Sequence, residues 1–386
     1  MTTAQANGIL FVINRLETGG AEHVLLDLVR ELQRRGRYRP VIACLKDRGP
    51  LAAPLEEAGI AVHEKLLADR YDYHAAPRLM RIIRGEGIRA LTAVGSGGDR
   101  MFWGTIAARA AGVPVAVWAH IYSQPGHLNF ESVNRLLYPL VRRFVALGRR
   151  HKRSMASLDK VPLGKIAVIN NGVDVERFDH PEWRDRARSI LGLADENVTA
   201  IAMIANLRAD KRHDIFIAAA RQIVRHRRDV HFFVIGDGPN RAAVHQWARQ
   251  SGLLGQYLSV LGQREDVSQL LPGLDLVCLT SEYHECLSLS VLQAMAAGVP
   301  AVSYFIGSMD EAIVNNQTGF FFYQLSAAAL RQRLLEVIGD GDLRREVAGH
   351  ARDLVRRRFT VEKMTDDFTA LFDSLPAPRG ASIWRR

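Results

Sequence analysis

The chain has 386 residues, long for one hydrophobic core, so two domains of about 180 residues each are expected. A composition of 48% hydrophobic and 24% charged residues excludes a disordered chain. The net charge of +10 favours an anionic partner, for which nucleotide sugar, anionic phospholipid and nucleic acid all qualify.

Cys44, Cys278 and Cys286 are widely spaced and give neither a disulfide framework nor a zinc spacing, which fits a reducing compartment. The polar start MTTAQANG lacks a signal-peptide pattern, and no apolar run approaches the ~20 residues that span a bilayer. A cytoplasmic chain, soluble or peripheral on a membrane, is expected.

Gly8–Asn14 reads as a buried parallel strand, followed by a turn with Gly19 and Gly20 and a helix to Arg35. Strand, glycine turn and helix form the layout that cradles phosphate, although a tight turn alone also accounts for two glycines. Strands are expected at Pro40–Leu45, Ala61–Glu64, Ala90–Val94 and Pro114–Trp118, with helices near Leu51–Ala58, Arg78–Gly85 and Asp99–Ala111. This alternation predicts a doubly wound α/β sheet with right-handed crossovers. Ligands in such sheets gather at the carboxyl ends of strands, where His120 and two glycine turns lie, Gly19-Gly20 and Gly95-Ser96-Gly97-Gly98. A lone His at a strand end is also a common structural residue. Ile121–Asn129 reads as an acceptor-side loop. Arg142–Arg153 is basic around a short strand, either a solvated face or an attraction for anionic headgroups. Lys165–Asn170 and the turn Asn171–Asp174 lead to a linker expected near Asp174–Pro181.

A second alternating series starts at Ala200–Ile204 and continues into ANLRADKRHD, a basic loop with Arg208 and Lys211. His231–Gly236 is a strand ending in Gly236-Asp237-Gly238-Pro239; Asn240 and Arg241 stand where a dinucleotide fingerprint would soon need its third glycine. Leu258–Leu261 follows, then Gly262-Gln263-Arg264. Ser281–Val302 reads as loop, short helix and buried strand. Ser288 or Ser290 can cap the helix, Val291, Leu292, Met295 and Ala296 form its apolar face, and Gly298 and Pro300 end it. Unpaired N–H groups at such a helix start suit a phosphate. Ala301–Tyr304 is the next strand, and helices are expected at Ala327–Ile338 and Leu343–Arg358. The clearest D-x-D, Asp340-Gly341-Asp342, falls between these helices and reads as a turn, so no metal or other cofactor is expected. Phe359–Leu375 is amphipathic, and the Pro376–Arg386 tail reads as loose.

The segment ECLSLSVLQAMAAGVPAV, Glu285–Val302, resembles the signature of the family-four retaining glycosyltransferases, which have the GT-B architecture. The family pattern is Glu, seven residues, Glu, then Ala-Met-Ala-x-Gly-x-Pro. Glu285 matches the first position and Gln293 stands in the second. Other blocks resemble the family in the same order across nearly the whole chain: Asn171–Asp174, Arg208 with Lys211, Gly236–Pro239, Gly307 with Glu311, and the hairpin Gln317–Phe320.

The resemblance implies two Rossmann-like domains facing across a cleft. The acceptor-side domain would span 1–175, with 360–386 packing back onto it, and the donor domain 180–359. It further implies a metal-independent retaining transfer from a nucleotide sugar to a hydroxyl of a glycan or lipid-linked acceptor. The expected setting is polysaccharide or lipopolysaccharide assembly on the cytoplasmic face of the inner membrane. His120 and Glu285 would act on the sugar. Gly19, Gly20, Arg208, Lys211, Gly236, Arg264, Cys286, Leu287, Ser288, Leu289 and Gln293 would surround the donor. Gln293 keeps an acceptor oxygen for the ribose but loses the charge, a change on the scale of about 1 kcal/mol. Other readings are an inactive scaffold that binds a partner, a nucleic-acid-binding protein, for which no motif is present, and a GT-B epimerase or phosphorylase.

Overall fold

The computed structural model describes residues 7–122, 134–283 and 285–378. The expected acceptor-side loop therefore lies outside the described residues from 123 onward, as does the tail from 379. Among the described residues, thirteen strands form two all-parallel sheets.

The first sheet holds β1 (Asn7–Ile13), β2 (Tyr38–Cys44), β3 (Ala61–His63), β4 (Ile88–Val94), β5 (Val115–Trp118), β6 (Arg143–Ala146) and β7 (Ile166–Val168), in the order β3-β2-β1-β4-β5-β6-β7. The second holds β8 (Thr199–Ile204), β9 (Val230–Ile235), β10 (Leu258–Gly262), β11 (Leu276–Leu279), β12 (Ala301–Tyr304) and β13 (Phe320–Phe322), in the order β10-β9-β8-β11-β12-β13. Each order reverses once, between β1 and β4 and between β8 and β11. Such a reversal is where the loops at the carboxyl ends diverge and leave room for a ligand.

The central strands are apolar runs because both of their faces are covered. In the first sheet Leu10, Val12, Leu91 and Val117 are fully buried; in the second, Ile201, Met203, Phe232 and Val302 are. The chain divides into one unit of Met1–Gly172 with Val361–Arg386, and another of Val173–Thr360. Helix Val361–Ser374 belongs to the first unit through its aromatic face. Phe372 meets Phe11 and Tyr38 edge-on, and Phe368 meets Trp118 with ring centroids 4.7 Å apart.

Residues of the expected linker are themselves structured. Asp174 caps the short helix Val175–Phe178 by accepting from the Arg177 N–H, and Asp179 pairs with Arg352 and Arg356. Gln317–Phe320 is not part of a hairpin. Its turn is closed by Asn316 N–H donating to Gly319 O at 2.8 Å, and β13 then runs parallel to β12, which requires a crossover.

Helix Leu289–Ala296 buries Val291, Leu292, Ala294 and Met295. Its end is closed as expected, with Gly298 N–H donating to Met295 O and Val299 N–H to Ala294 O. Its start differs: Ser288 holds the cap position, but its hydroxyl lies 3.1 Å from the Ser290 hydroxyl and bonds no backbone N–H of the helix. Asp340 of the D-x-D caps helix Gly341–Arg358 by accepting from Leu343 N–H at 2.9 Å, while Asp342 pairs with Arg345. Both carboxylates thus serve the helix start.

Candidate active site

At the reversal point of the second sheet, the loops after β8 and β11 are stitched together. Thr280 Oγ1 donates to Lys211 O at 2.7 Å, and Glu282 N–H donates to Asp210 O at 2.8 Å. These bonds fix the backbone on which Lys211 and Glu285 stand. Lys211 Nζ donates to Glu285 Oε2 at 2.5 Å, and Ser281 Oγ donates to the same oxygen at 2.9 Å. Glu285 is only 8% exposed, so its charge is tolerated because a cation and a hydroxyl compensate it. Arg208 turns its guanidinium to Asp210 in a two-bond fork, at 2.9 and 3.1 Å. Both expected clamp cations therefore rest on carboxylates of the chain. His213, buried beneath this loop, has its pKa pushed down to about 4, chiefly by burial and then by the Lys211 charge.

A third loop, the one with Gly307 and Glu311, supports Glu285 from behind. Gly307 has φ +58°, and a Cβ there would stand 2.0 Å from the Glu285 carbonyl oxygen. No side chain fits that contact. Ser308 N–H then donates to Cys286 O at 2.7 Å, and Met309 Sδ accepts from Ser288 N–H at 3.3 Å. Cys286, Leu287 and Leu289 point their side chains into the core, and burial raises the Cys286 thiol well above its ordinary range. With these side chains buried, only the backbone of the three residues is left to meet a ligand. Glu311, a few residues on, is buried and pairs with Arg358.

Gly236 serves the same site through packing. At φ +140°, a Cβ would meet Ala205 O at 2.0 Å. That close approach lets Leu207 N–H reach Asp237 O and Asn240 N–H reach Leu207 O, fixing the loop that carries Arg208. Arg264 follows the edge strand β10 and makes a two-bond fork to Asp266, so the structure does not join it to the loops after β8 and β11. Gln293 stands half-buried on helix Leu289–Ala296.

At the reversal point of the first sheet, Gly19 is the N-cap of helix Gly20–Arg35, with the Glu22 carboxylate folded back over it. Burial raises the pKa of Glu22, with Arg100 acting in the opposite direction. The Arg100 side chain lies over Gly95, where a Cβ would collide with its guanidinium. His120 follows β5, and its enclosed Nε2 has no hydrogen-bond partner among the described residues. Burial, assisted by the charges of Arg100 and His151, pushes its pKa down to about 3. His151 is held at both ring nitrogens: Nδ1 accepts from Leu147 N–H and Nε2 meets Ile121 O. Its pKa falls to about 4 because it is buried. The first unit thus presents neutral imidazole, glycine backbone and one Arg–Glu neighbourhood. Glu22, Arg100 and His151 carried no signal in the sequence, since only the strand order brings them together.

Among the described residues no helix is long and apolar enough to cross a membrane.

Comparison with known proteins agrees with this anatomy. Residues 18–177 match the family described as Glycosyltransferase Family 4, and residues 185–354 match Glycosyl transferases group 1. The N-acetyl-alpha-D-glucosaminyl L-malate synthase of Bacillus anthracis is 28% identical over 211 residues, 55% of this chain and 54% of that one. Against that relative the chain spans about half the length. The UDP-Gal:alpha-D-GlcNAc-diphosphoundecaprenol alpha-1,3-galactosyltransferase of Escherichia coli is 27% identical over 285 residues, 70% of this chain and 71% of that one. Among solved structures, Anabaena HepE in complex with UDP-glucose superimposes with a TM-score of 0.83 at 22% identity, covering 95% of this chain and 100% of that one. WaaG, a glycosyltransferase involved in lipopolysaccharide biosynthesis, superimposes with a TM-score of 0.74 over 95% of this chain and 100% of that one, at 14% identity. These likenesses give the fold as GT-B. With two consecutive matches that together run from residue 18 to residue 354, the chain belongs to the group 1 glycosyl transferases.

Proposed function

We propose that the protein transfers a sugar from a nucleoside-diphosphate sugar to a hydroxyl of a glycan or lipid-linked acceptor, with retention at the anomeric carbon. The observation that carries this reading is the Lys211–Glu285–Ser281 cluster at the reversal point of the second sheet, inside the group 1 match. The donor of HepE and the activities named for the relatives support the substrate class.

In this reading the bond from the anomeric carbon to the departing phosphate oxygen breaks as the bond to the acceptor oxygen forms on the same face. The acceptor proton passes to the departing phosphate, and the nucleoside diphosphate leaves. Charge grows on the diphosphate as it departs, so fixed cations lower the barrier. Arg208 and Lys211 supply them, joined by N–H groups at Leu287–Leu289 and the start of helix Leu289–Ala296. Neither cation is idle before the donor arrives, since Asp210 and Glu285 hold them at the loop. Donor binding shares those cations rather than charging an empty site. Glu285 orients sugar hydroxyls. His120, neutral down to about pH 3, offers a hydrogen bond to the sugar and does not serve as an acid near neutrality. The backbone at Gly19 and Gly20 lies beside the diphosphate, Gly236 shapes the donor loop, and Arg264 and Gln293 face the nucleotide. No metal or cofactor is invoked.

The basic charge supports a setting at a membrane. Helix Arg149–Ser157 carries Arg149, Arg150, Lys152 and Arg153, which suits an anionic membrane surface and hence lipid-linked polysaccharide or lipopolysaccharide assembly on the cytoplasmic face.

A panel of UDP-, GDP- and ADP-sugars tests the reading by binding and by slow hydrolysis. One donor should bind and hydrolyse, and Glu285→Ala should cut that hydrolysis about 100-fold or more while weakening binding less. If no donor binds, the transferase reading is lost.

A further inference from the structure

Beyond the reversal point, the first unit has a cavity of about 670 Å³ at the carboxyl ends of β2 and β3. Its wall combines Lys46, Lys65, Arg70 and Arg78 with Asp47, Asp69 and Asp99, and of these Asp47 pairs with Arg15 and Arg78 with Asp72. Asp99 stands beside Arg100 in the first turn of helix Gly98–Ala111, so the cavity opens next to the loops after β1 and β4.

Three observations mark it as a built site. Lys65 N–H donates to Lys46 O at 2.7 Å, which puts the two lysines side by side. Lys65 has φ +56°, a left-handed conformation that a side-chain-bearing residue adopts at a cost and that glycine adopts freely. The chain keeps an ammonium where glycine would be less strained. The third is the segment after Lys65, which is prearranged around one carboxylate. Asp72 accepts from Ala68 N–H at 2.9 Å and His74 N–H at 3.1 Å and pairs with Arg78, which also donates to Leu66 O at 3.0 Å. The Ala68 N–H first, then Arg78, and after them the His74 N–H hold its pKa at about 2. The same segment exposes Tyr71 and Tyr73, 79% and 70% accessible, outside the cavity lining.

The mixed charge of the wall specifies the ligand. Carboxylates accept hydrogen bonds from hydroxyl groups, whereas ammonium groups take an anion. Among the described residues Lys46 has no carboxylate within ion-pair distance, and Lys65 has only Glu64 at the 4.0 Å limit. A neutral sugar would leave those cations unanswered.

We infer that this cavity is an acceptor subsite for a sugar bearing a phosphate or carboxylate, with Lys46 and Lys65 holding the anion and Asp69 and Asp99 the hydroxyls. The inference rests on the glycosyltransferase reading for the word acceptor, but the binding preference is measurable without it.

The test titrates the full chain with glucose, glucose 6-phosphate and glucuronate, and separately with UDP. The sugar phosphate and the sugar acid should each bind about tenfold more tightly than glucose at low salt, an advantage that shrinks in 0.5 M salt. If glucose 6-phosphate alone shows the advantage, the anion is a phosphate; if glucuronate alone, a carboxylate. Lys65→Gly relieves the strained backbone, so it should not lower the melting temperature, and combined with Lys46→Ala it should erase the preference. UDP binding, which reports the donor reading, should be unchanged in the double variant. Equal binding of all three sugars, or a preference that survives the double variant, overturns the subsite whatever UDP does.

Discussion

The two sheets share a strand order through six positions, yet their reversal points are furnished in opposite ways. After β8 and β11 the chain sets charge against charge: Arg208 on Asp210, Lys211 on Glu285, Arg212 on Glu282. After β1, β4, β5 and β6 it sets glycine backbone, the Glu22–Arg100 neighbourhood and two histidines whose neutral forms are favoured by burial. One backbone plan decides where ligand groups collect; the loops decide which kind collects. The charged end can share its cations with a diphosphate, while the neutral end can hydrogen-bond a sugar without repelling or fixing a charge.

The contrast is broken most severely at Lys211. Lys211→Ala leaves Glu285 buried without its cation, and the free energy of unfolding in urea should fall by about 3–5 kcal/mol. Adding Glu285→Gln to that variant should restore much of the loss. A pair that can be halved at no cost would mean that charge is not what holds these loops.

Acid probes the neutral end. His120 and His151 take up protons only near pH 3 and 4 in the folded chain, against an ordinary value of 6.5 once unfolded. Their contribution is therefore fully present above pH 6.5 and is lost as pH falls from there towards the folded values. Each such histidine steepens the loss by up to about 1.4 kcal/mol per pH unit. The drop in melting temperature from pH 7 to pH 5 should be smaller in His120→Asn than in the native chain; an identical drop would remove the imidazole explanation.

The mildest change is Gln293→Glu, which adds charge to the already charged unit. Under the proposed ribose contact, a carboxylate there should tighten UDP binding about fivefold, the equivalent of about 1 kcal/mol. Calorimetry that shows no change, or weaker binding, would take position 293 out of the nucleotide site.

Much of this contrast was legible in the residues themselves. Apolar runs such as GILFVIN and the alternating helices announced parallel sheets, because strands covered on both faces need no polar alternation. Gly19-Gly20 and Gly95–Gly98 announced turns at strand ends, and the spacing around Glu285 announced the signature helix. What escaped was everything that depends on β8 lying beside β11. Ser281 and Thr280 look like ordinary loop hydroxyls until the sheet brings Glu285 and the Lys211 carbonyl to them. Gly307 was visible as part of a weakened motif, but its need for glycine comes from a carbonyl more than twenty residues earlier. Arg100 was hidden inside a helix start, and Lys65 gave no hint of a positive φ.

Helix Val361–Ser374 carries a consequence for how the protein is made. Its Phe368 and Phe372 lie against Trp118, Phe11 and Tyr38, side chains of the first sheet that are almost fully buried. On the ribosome, the second unit, Val173–Thr360, is one continuous run and has all its strands before that helix exists. The first unit emerges earlier but must wait, with an aromatic face uncovered, until the whole second unit has been synthesised. The half of the chain that is translated first is thus the half that finishes last, and during that interval its exposed rings are the surface that chaperones or aggregation would find.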